Sequence, residues 1–393
     1  MGYALQSYYF FGFNHHNKHN KGKQNKNNMH TNTFLRHIGI ALCCLCLITA
    51  CHNQPRQAAT AGSGIRFTHE HRLPTTPVKD QGHSELCWAY AMLATIETEH
   101  LVQADSVNLS PHYMARQWLQ RQAVAYRLST RHRPISMRGM APMALHLLRE
   151  EGAMPYDSYW TTENINYKAL ARRAMMAADA TTTLTELHAA IDRLCNQTVG
   201  YLPKHIYMLG AEYSPLDFAQ SVCLRNEWRA YTSVTHHPFY TDVPLEMDDN
   251  QLNDRFYNLP IDTLVQYIKQ QLHSGHPVCW EGDISEPGFN WPAGLAYCPT
   301  PEPERCQQVR QQLIEHRLTT DDHCLCLVGT AQGSDGQLWF IAKNSWGTHN
   351  ARHGFIYLSE GYVRMKTIAV VGKRDSMSKT CETSVYYRKT FLP

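Results

Sequence analysis

Residues Thr76–Tyr90 read TPVKDQGHSELCWAY, a turn-rich stretch with Pro77 and Gly82 that runs into Cys87. Beyond it, Ala89, Met92, Leu93 and Ile96 fall at helical spacing, which places Cys87 in the first turn of an amphipathic helix. The unpaired N–H groups and positive partial charge of a helix N-terminus favour a thiolate and lower the thiol pKa. An unperturbed thiol, with a pKa of about 8.5, is mostly protonated at neutral pH, so this placement makes a usable nucleophile. The plainer reading is a buried cysteine that opens a core helix. Far along the chain, Asp322–Gly329 (DHCLCLVG) is an alternating, β-prone stretch that opens with a histidine, His323. Leu338–Lys343 (LWFIAK) reads as the next strand, with Gly333-Ser334-Asp335-Gly336 as the hairpin turn between them. Asn344-Ser345-Trp346-Gly347 follows directly, then a third strand at Phe355–Leu358. A zinc site on His323, Cys324 and Cys326 is conceivable. It is set aside because alternation is taken to part the two cysteines to opposite faces, and no second ligand pair has zinc spacing.

Together these segments resemble the papain family of cysteine peptidases. The family has a Gln-Gly pair, then Cys-Trp-Ala-aromatic, with glutamine six residues before cysteine. Here Gln81-Gly82 precedes Cys87-Trp88-Ala89-Tyr90 at that spacing. The family also has a histidine opening one strand and Asn-Ser-Trp-Gly ending the next. The resemblance implies an α+β, papain-like two-lobe fold. A mainly helical lobe would start at Cys87, a β-rich lobe would hold His323 and Asn344, and the site would lie in the cleft between them. It implies Cys87 as nucleophile and His323 as the base that deprotonates it and then protonates the leaving amine. Asn344 would hold the imidazole in its productive orientation. Gln81, through its side-chain amide, and the Cys87 backbone N–H would form an oxyanion hole. Trp346 would cover the His323–Asn344 hydrogen bond and border the substrate. The implied reaction is hydrolysis of a peptide or protein substrate through a thioester acyl-enzyme, with no metal or organic cofactor.

The resemblance also has departures. Residue 84, where many secreted members carry a disulfide-forming cysteine, is serine, which points to the bleomycin hydrolase and aminopeptidase C branch. Gly139 matches one glycine of a cleft-lining Gly-Gly pair that binds substrate backbone, and Arg138 replaces the other. Leu170–Gln220 is helical in pattern, with Ser214 as N-cap and Pro215 at N1, and marks an insertion at about 160–225. Ser214–Ala219 and Asn258–Asp262 look like segments of the same branch. In that branch the chain's own C-terminus occupies the cleft. The corresponding tail here, Ser376–Pro393, keeps Tyr386, Tyr387, Phe391 and Leu392. Two rivals share the motifs: an acyltransferase that resolves the thioester with an amine, and an inactive surface binding protein.

The whole chain has 393 residues, 43% apolar, with a formal charge of +3. All five basic residues of 1–50 lie opposite no acidic one, so the remainder carries about −2. That balance leaves no basic footprint for a nucleic-acid partner. Ile38–Ala50 is a 13-residue apolar run, too short to span a bilayer as a helix but suited to a signal peptide. It ends in Ile48-Thr49-Ala50-Cys51, which resembles a bacterial lipobox with Cys51 as the lipidated residue. The expected organisation is a signal peptide at 1–50, with Met29 as the alternative start that would leave 1–28 untranslated. Then come a lipidated cysteine and flexible tether at 51–73, the peptidase domain at 74–375, and the tail at 376–393. The protein is thus expected on the membrane of a bacterial envelope, held by its lipid. Eight further cysteines remain; Cys298 and Cys306 bracket a Pro-rich loop they could close, and Cys324 and Cys326 are expected as buried free thiols.

Overall fold

A computed structural model describes residues 64–161, 164–208 and 210–374. The signal segment, Cys51, most of the tether and the C-terminal tail lie outside the described residues. Strand β1 (Phe67–Arg72) is followed by helices α1 (Cys87–Val102), α2 (Pro111–Leu128), α3 (Ala141–Glu150), α4 (Tyr167–Ala180) and α5 (Leu184–Thr198). A small hairpin, β2 (Ile206–Met208) with β3 (Ala211–Tyr213), leads to α6 (Pro215–Val222). Then come β4 (Trp228–Thr232), β5 (Asp242–Pro244), β6 (Arg255–Asn258), α7 (Ile261–His273) and β7 (Val278–Gly282). Two short strands, β8 (Phe289–Asn290) and β9 (Leu295–Ala296), precede α8 (Pro303–Glu315). The described chain ends with β10 (His323–Gly333), β11 (Leu338–Lys343), β12 (Phe355–Ser359), α9 (Glu360–Lys366) and β13 (Thr367–Lys373).

Local chemistry starts several helices. The Ser110 hydroxyl accepts from the Tyr113 N–H, with Pro111 at N1. Capping boxes, Thr183 with Glu186 and Ser214 with Asp217, open α5 and α6. The insertion is helical in α4 and α5, but residues 199–213 are not. They hold the β2–β3 hairpin, which a helical reading of Leu170–Gln220 misses.

The helices of the first half pack on α1 and α2, and the strands of the second half form one sheet. Its order is β5-β6-β4-β13-β7-β10-β11-β12-β9-β8, with β1 also pairing β10. Helix α1 lies between these layers, touching α2 and α3 on one side and β7 and β10 on the other. Every residue from Trp88 to Glu99 is buried, so α1 is not the amphipathic helix its apolar spacing suggests. Its acidic groups are paired instead: Glu97 accepts from Thr76, Lys79 and the Leu109 N–H, and Glu99 from Gln103, His276 and Lys373.

The strand register sets the site. His323 is the first residue of β10, across from Gly282 of β7. Asn344 follows Lys343, the last residue of β11, which stands across from Cys326. Both therefore emerge at the same end of adjacent antiparallel strands. Cys324 and Cys326 are two residues apart and share one face, against α1, because side chains alternate with period two. The expectation that they part to opposite faces is wrong. Both are buried free thiols, and Cys298 and Cys306 are free as well rather than joined.

Candidate active site

The loop before α1 is fastened to the segment after β11. The Gln81 N–H donates to Ser345 O at 2.8 Å, and the Gly347 N–H to Lys79 O at 3.2 Å. Gly82 turns the chain at φ +56°, a conformation that suits glycine, and its N–H donates to Asp80 Oδ1. Ser84 then closes the turn, its N–H and hydroxyl both donating to Gln81 O (3.1 and 2.7 Å). A hydrogen-bonded turn thus holds the position where a disulfide is missing.

The Gln81 side chain is oriented at both ends. Its Oε1 accepts from the Ser345 hydroxyl at 2.6 Å, and its Nε2 donates to Ser84 O at 2.8 Å. An amide nitrogen has two protons, so one remains for a ligand in the cleft. Cys87, partly exposed, opens α1, and no side chain caps the N-terminus of that helix.

His323 and Asn344 are both buried, each 3% exposed. His323 Nε2 lies 2.7 Å from Asn344 Oδ1, which also accepts from the Ser345 N–H at 2.7 Å. An oxygen acceptor here makes Nε2 the protonated nitrogen and leaves Nδ1 as the basic one. Trp346 lies over the imidazole, ring centroids 4.6 Å apart, and is itself flanked edge-on by Phe289 and Trp291. The sequence places all of Gln81, Cys87, His323, Asn344 and Trp346 in one site, and the structure brings all five together.

Beneath the sulfur lie Cys324, expected from the sequence as a buried free thiol, and Glu281, which the sequence did not single out. The Cys87 thiol is held well below its ordinary pKa, first by a hydrogen bond from Cys324 and then by the hydrogen bond and charge of His323; burial opposes both. Cys324 Sγ also lies 3.1 Å from Glu281 Oε1, which accepts from the Ala141 N–H at 2.9 Å. Burial pushes Glu281 up to about 8, so at neutral pH its carboxyl is mainly neutral. Cys324 donates its single proton to Glu281 Oε1, and a neutral acid holds that proton more weakly than a carboxylate would beside a Cys87 thiolate. The signal for Cys324 was strand alternation beside His323; nothing local marks Glu281, which reaches the site through the β7–β10 register.

The cleft is about 630 Å³ and is lined by Gln81, Cys87, Gly139, His323, Cys324 and Trp346 among others. Gly139 borders it as expected, on a segment held by the bond from Trp88 Nε1 to Met137 O at 2.9 Å. Elsewhere, His236, His237 and Glu246 bring three potential metal ligands together. Gln311 Nε2 meets His236 Nδ1 at 3.0 Å, and Gln311 Oε1 is already taken by the Thr235 N–H. His236 Nδ1 is therefore the acceptor and Nε2 carries the proton toward Glu246, an arrangement that suits a hydrogen bond rather than coordination.

No protein-family model matches the chain, and a search of curated proteins returned no match. Among solved structures, PepW from Lactobacillus rhamnosis HN001 (DR20) superposes with a TM-score of 0.57 at 17% identity, over 80% of this chain and 84% of PepW. Xylellain, a cysteine protease from Xylella fastidiosa, superposes with a TM-score of 0.42 at 15% identity, over 79% of this chain and 87% of its own. The chain has the α+β papain-like fold, a helical lobe and a β-rich lobe with a helical insertion.

Proposed function

We propose that the protein is a cysteine peptidase that hydrolyses peptide bonds, with Cys87, His323 and Asn344 as its triad. The observation that carries this reading is an imidazole held by Asn344 beside a cysteine whose thiol it helps to acidify. Asn344 Oδ1 holds Nε2 at 2.7 Å, and the Cys87 thiol is held well below its ordinary pKa, first by Cys324 and then by His323. The Cys87 thiolate attacks the substrate carbonyl while the His323 imidazolium waits beside it. The free Gln81 amide proton and the Cys87 N–H receive the charge on the carbonyl oxygen. His323 gives its proton to the leaving amine, and a thioester remains on Cys87. Water, deprotonated by the same imidazole, then releases the acid and restores the thiol. Trp346 keeps other water off the His323–Asn344 bond, and Gly139 borders the cleft at a position where a Cβ would collide with Met143. No metal or organic cofactor enters these steps.

Ser84 and the Ser214–Ala219 segment favour a place in the bleomycin hydrolase and aminopeptidase C branch. The apolar run ending at Cys51 supports export as a lipoprotein anchored to a bacterial envelope membrane. The test of the peptidase is an epoxide-type thiol probe followed by peptide mapping. Expected is one modified residue, Cys87, with loss of peptide hydrolysis in step with labelling. Cys87→Ala should neither label there nor hydrolyse, and hydrolysis surviving in that variant sinks the reading.

A further inference from the structure

Cysteines gather where helix α1 lies on strands β7 and β10. Cys324 and Cys326 of β10 stand directly across from Glu281 and Cys279 of β7, so the four side chains form two cross-strand pairs on the face that α1 covers. Cys279, Cys324 and Cys326 are buried free thiols, whereas Cys87 is partly exposed and lines the cleft. Cys324 borders the cleft together with Cys87, and it shares a small gap with Tyr90, Ala91 and Ala94 of α1. Positions 87, 91 and 94 lie on one face of the helix, and the two small alanines let β10 come close to its start.

Of these thiols, Cys324 is the one in hydrogen-bonding contact with Cys87. It has a single proton, and while Glu281 Oε1 accepts that proton at 3.1 Å the sulfur lone pairs stay available to a neighbouring sulfur. Glu281 Oε1 is fixed in turn by the Ala141 N–H at 2.9 Å. Exposure sorts the two sulfurs. Cys324 is 2% exposed and meets only its neighbours, while Cys87 opens on a cleft of about 630 Å³. A thiolate open to solvent is the form that peroxides oxidise. Cys87 therefore meets an oxidant from the cleft and a second thiol from beneath.

We propose that Cys87 and Cys324 form a reversible oxidation site for peroxides, where a Cys87–Cys324 disulfide stops catalysis and a thiol reductant restores it. This goes beyond the peptidase reading and rests on it only in that the blocked sulfur is the nucleophile. The Cys87 thiolate attacks one oxygen of hydrogen peroxide and the O–O bond breaks. The departing hydroxide takes the proton of the His323 imidazolium and leaves as water, and Cys87 becomes a sulfenic acid. Cys324 then attacks the Cys87 sulfur. The S–S bond forms, the S–O bond breaks, and the hydroxide leaves as a second water with the Cys324 proton. The two sulfurs lose two electrons together, and one peroxide is reduced to two waters. A reducing thiol attacks the Cys87 sulfur from the cleft, and Cys324 departs as a thiol. Without Cys324, the sulfenic acid is left for a second peroxide, which carries it to a sulfinic acid that thiols do not reverse.

The experiment treats the full chain with hydrogen peroxide at neutral pH, blocks the remaining thiols with iodoacetamide and maps unreduced digests by mass spectrometry. Peptide hydrolysis is followed in parallel. Expected is a cross-link between the Cys87 and Cys324 peptides, two hydrogens lighter than their sum. Hydrolysis should be lost in step with it and return almost fully with dithiothreitol. In Cys324→Ser, exposed to peroxide until the same fraction of its own starting activity is lost, Cys87 should become a sulfinic acid. Dithiothreitol should then restore little of the loss. Cys324→Ala repeats the comparison, and the wild-type map decides the matter even if neither variant folds. Sulfinic acid on wild-type Cys87 without a cross-link overturns the inference, as does a wild-type chain in which Cys87 resists peroxide. A cross-link from Cys87 to Cys279 or Cys326 in place of Cys324 overturns it as well. So does equal recovery in the wild type and both variants when circular dichroism shows them folded. If Cys87 and Cys324 cross-link but the reduced chain hydrolyses no peptide, the peptidase reading fails and the oxidation site stands.

Discussion

The sulfur of Cys87 faces two hydrogen-bond partners, and their removal should have different consequences. Cys324, whose thiol donates to Glu281 Oε1 at 3.1 Å, is the first cause of the lowered Cys87 pKa. Because the folded thiol pKa is depressed, the reactive thiolate persists as pH falls and is lost only when pH drops through that low value. Cys324→Ala should therefore move the acid limb of the kcat/KM profile upward in pH and leave the plateau above it nearly intact. An unmoved acid limb would show that Cys324 merely fills space. His323 acts on protons directly, so His323→Ala should cost on the order of 10³-fold in kcat/KM, within the usual range for a general base. Asn344 only orients the ring through its 2.7 Å bond, so Asn344→Ala should cost about tenfold, less than a reacting group. Equal losses in the two variants, measured at the pH optimum, would mean that Asn344 does more than orient.

At the scale of elements, one buried network holds the loop, the central helix and a site strand together. Glu97 of α1 accepts from Thr76 Oγ1 and Lys79 Nζ, each at 2.5 Å, while Lys343 Nζ of β11 donates to Thr76 Oγ1 at 2.8 Å. Lys343 precedes Asn344, and Lys79 is two residues from Gln81, so the network sets both halves of the site. Glu97→Gln leaves the nearly buried Lys79 ammonium without its countercharge and should destabilise the fold by about 3 kcal/mol or more. A change below about 1 kcal/mol in urea unfolding, the scale of an exposed pair, would mean that water already screens it. This network also shows where sequence reasoning stops. The strands around His323 and Asn344, the Gly333–Gly336 turn and the Ser214 cap were legible because each is written in consecutive residues. The burial of Glu97 and Glu99 was not, since their partners lie as far away as Thr76 and Lys373. The β2–β3 hairpin was hidden by flanking helices. The Arg138–Asp249 bond joins residues 111 positions apart, which no local pattern announces.

At the scale of the whole molecule, catalysis and location are separable. None of the helices among the described residues is long and apolar enough to cross a membrane. Beyond residue 50 the chain is slightly acidic, about −2, so it has no excess of positive charge with which to hold an anionic bilayer. The proposed membrane attachment is lipid on Cys51, at the end of the apolar run Ile38–Ala50. Within the expected tether Phe67–Arg72 is strand β1, paired to β10, so the linking stretch is at most 52–66, and a flexible chain of roughly 15 residues spans about 20 Å on average. A link of that kind transmits no fixed geometry to the enzyme. Cys51→Ser should accordingly move the protein from the membrane to the soluble fraction and leave kcat/KM on a short peptide unchanged. Fractionation, mass spectrometry of the amino-terminal fragment and the peptide assay check the three parts together. Membrane retention in Cys51→Ser, with no lipid found on the wild type, would put the anchor elsewhere in the chain. Release accompanied by a fall in kcat/KM would instead show that the tether is coupled to the site.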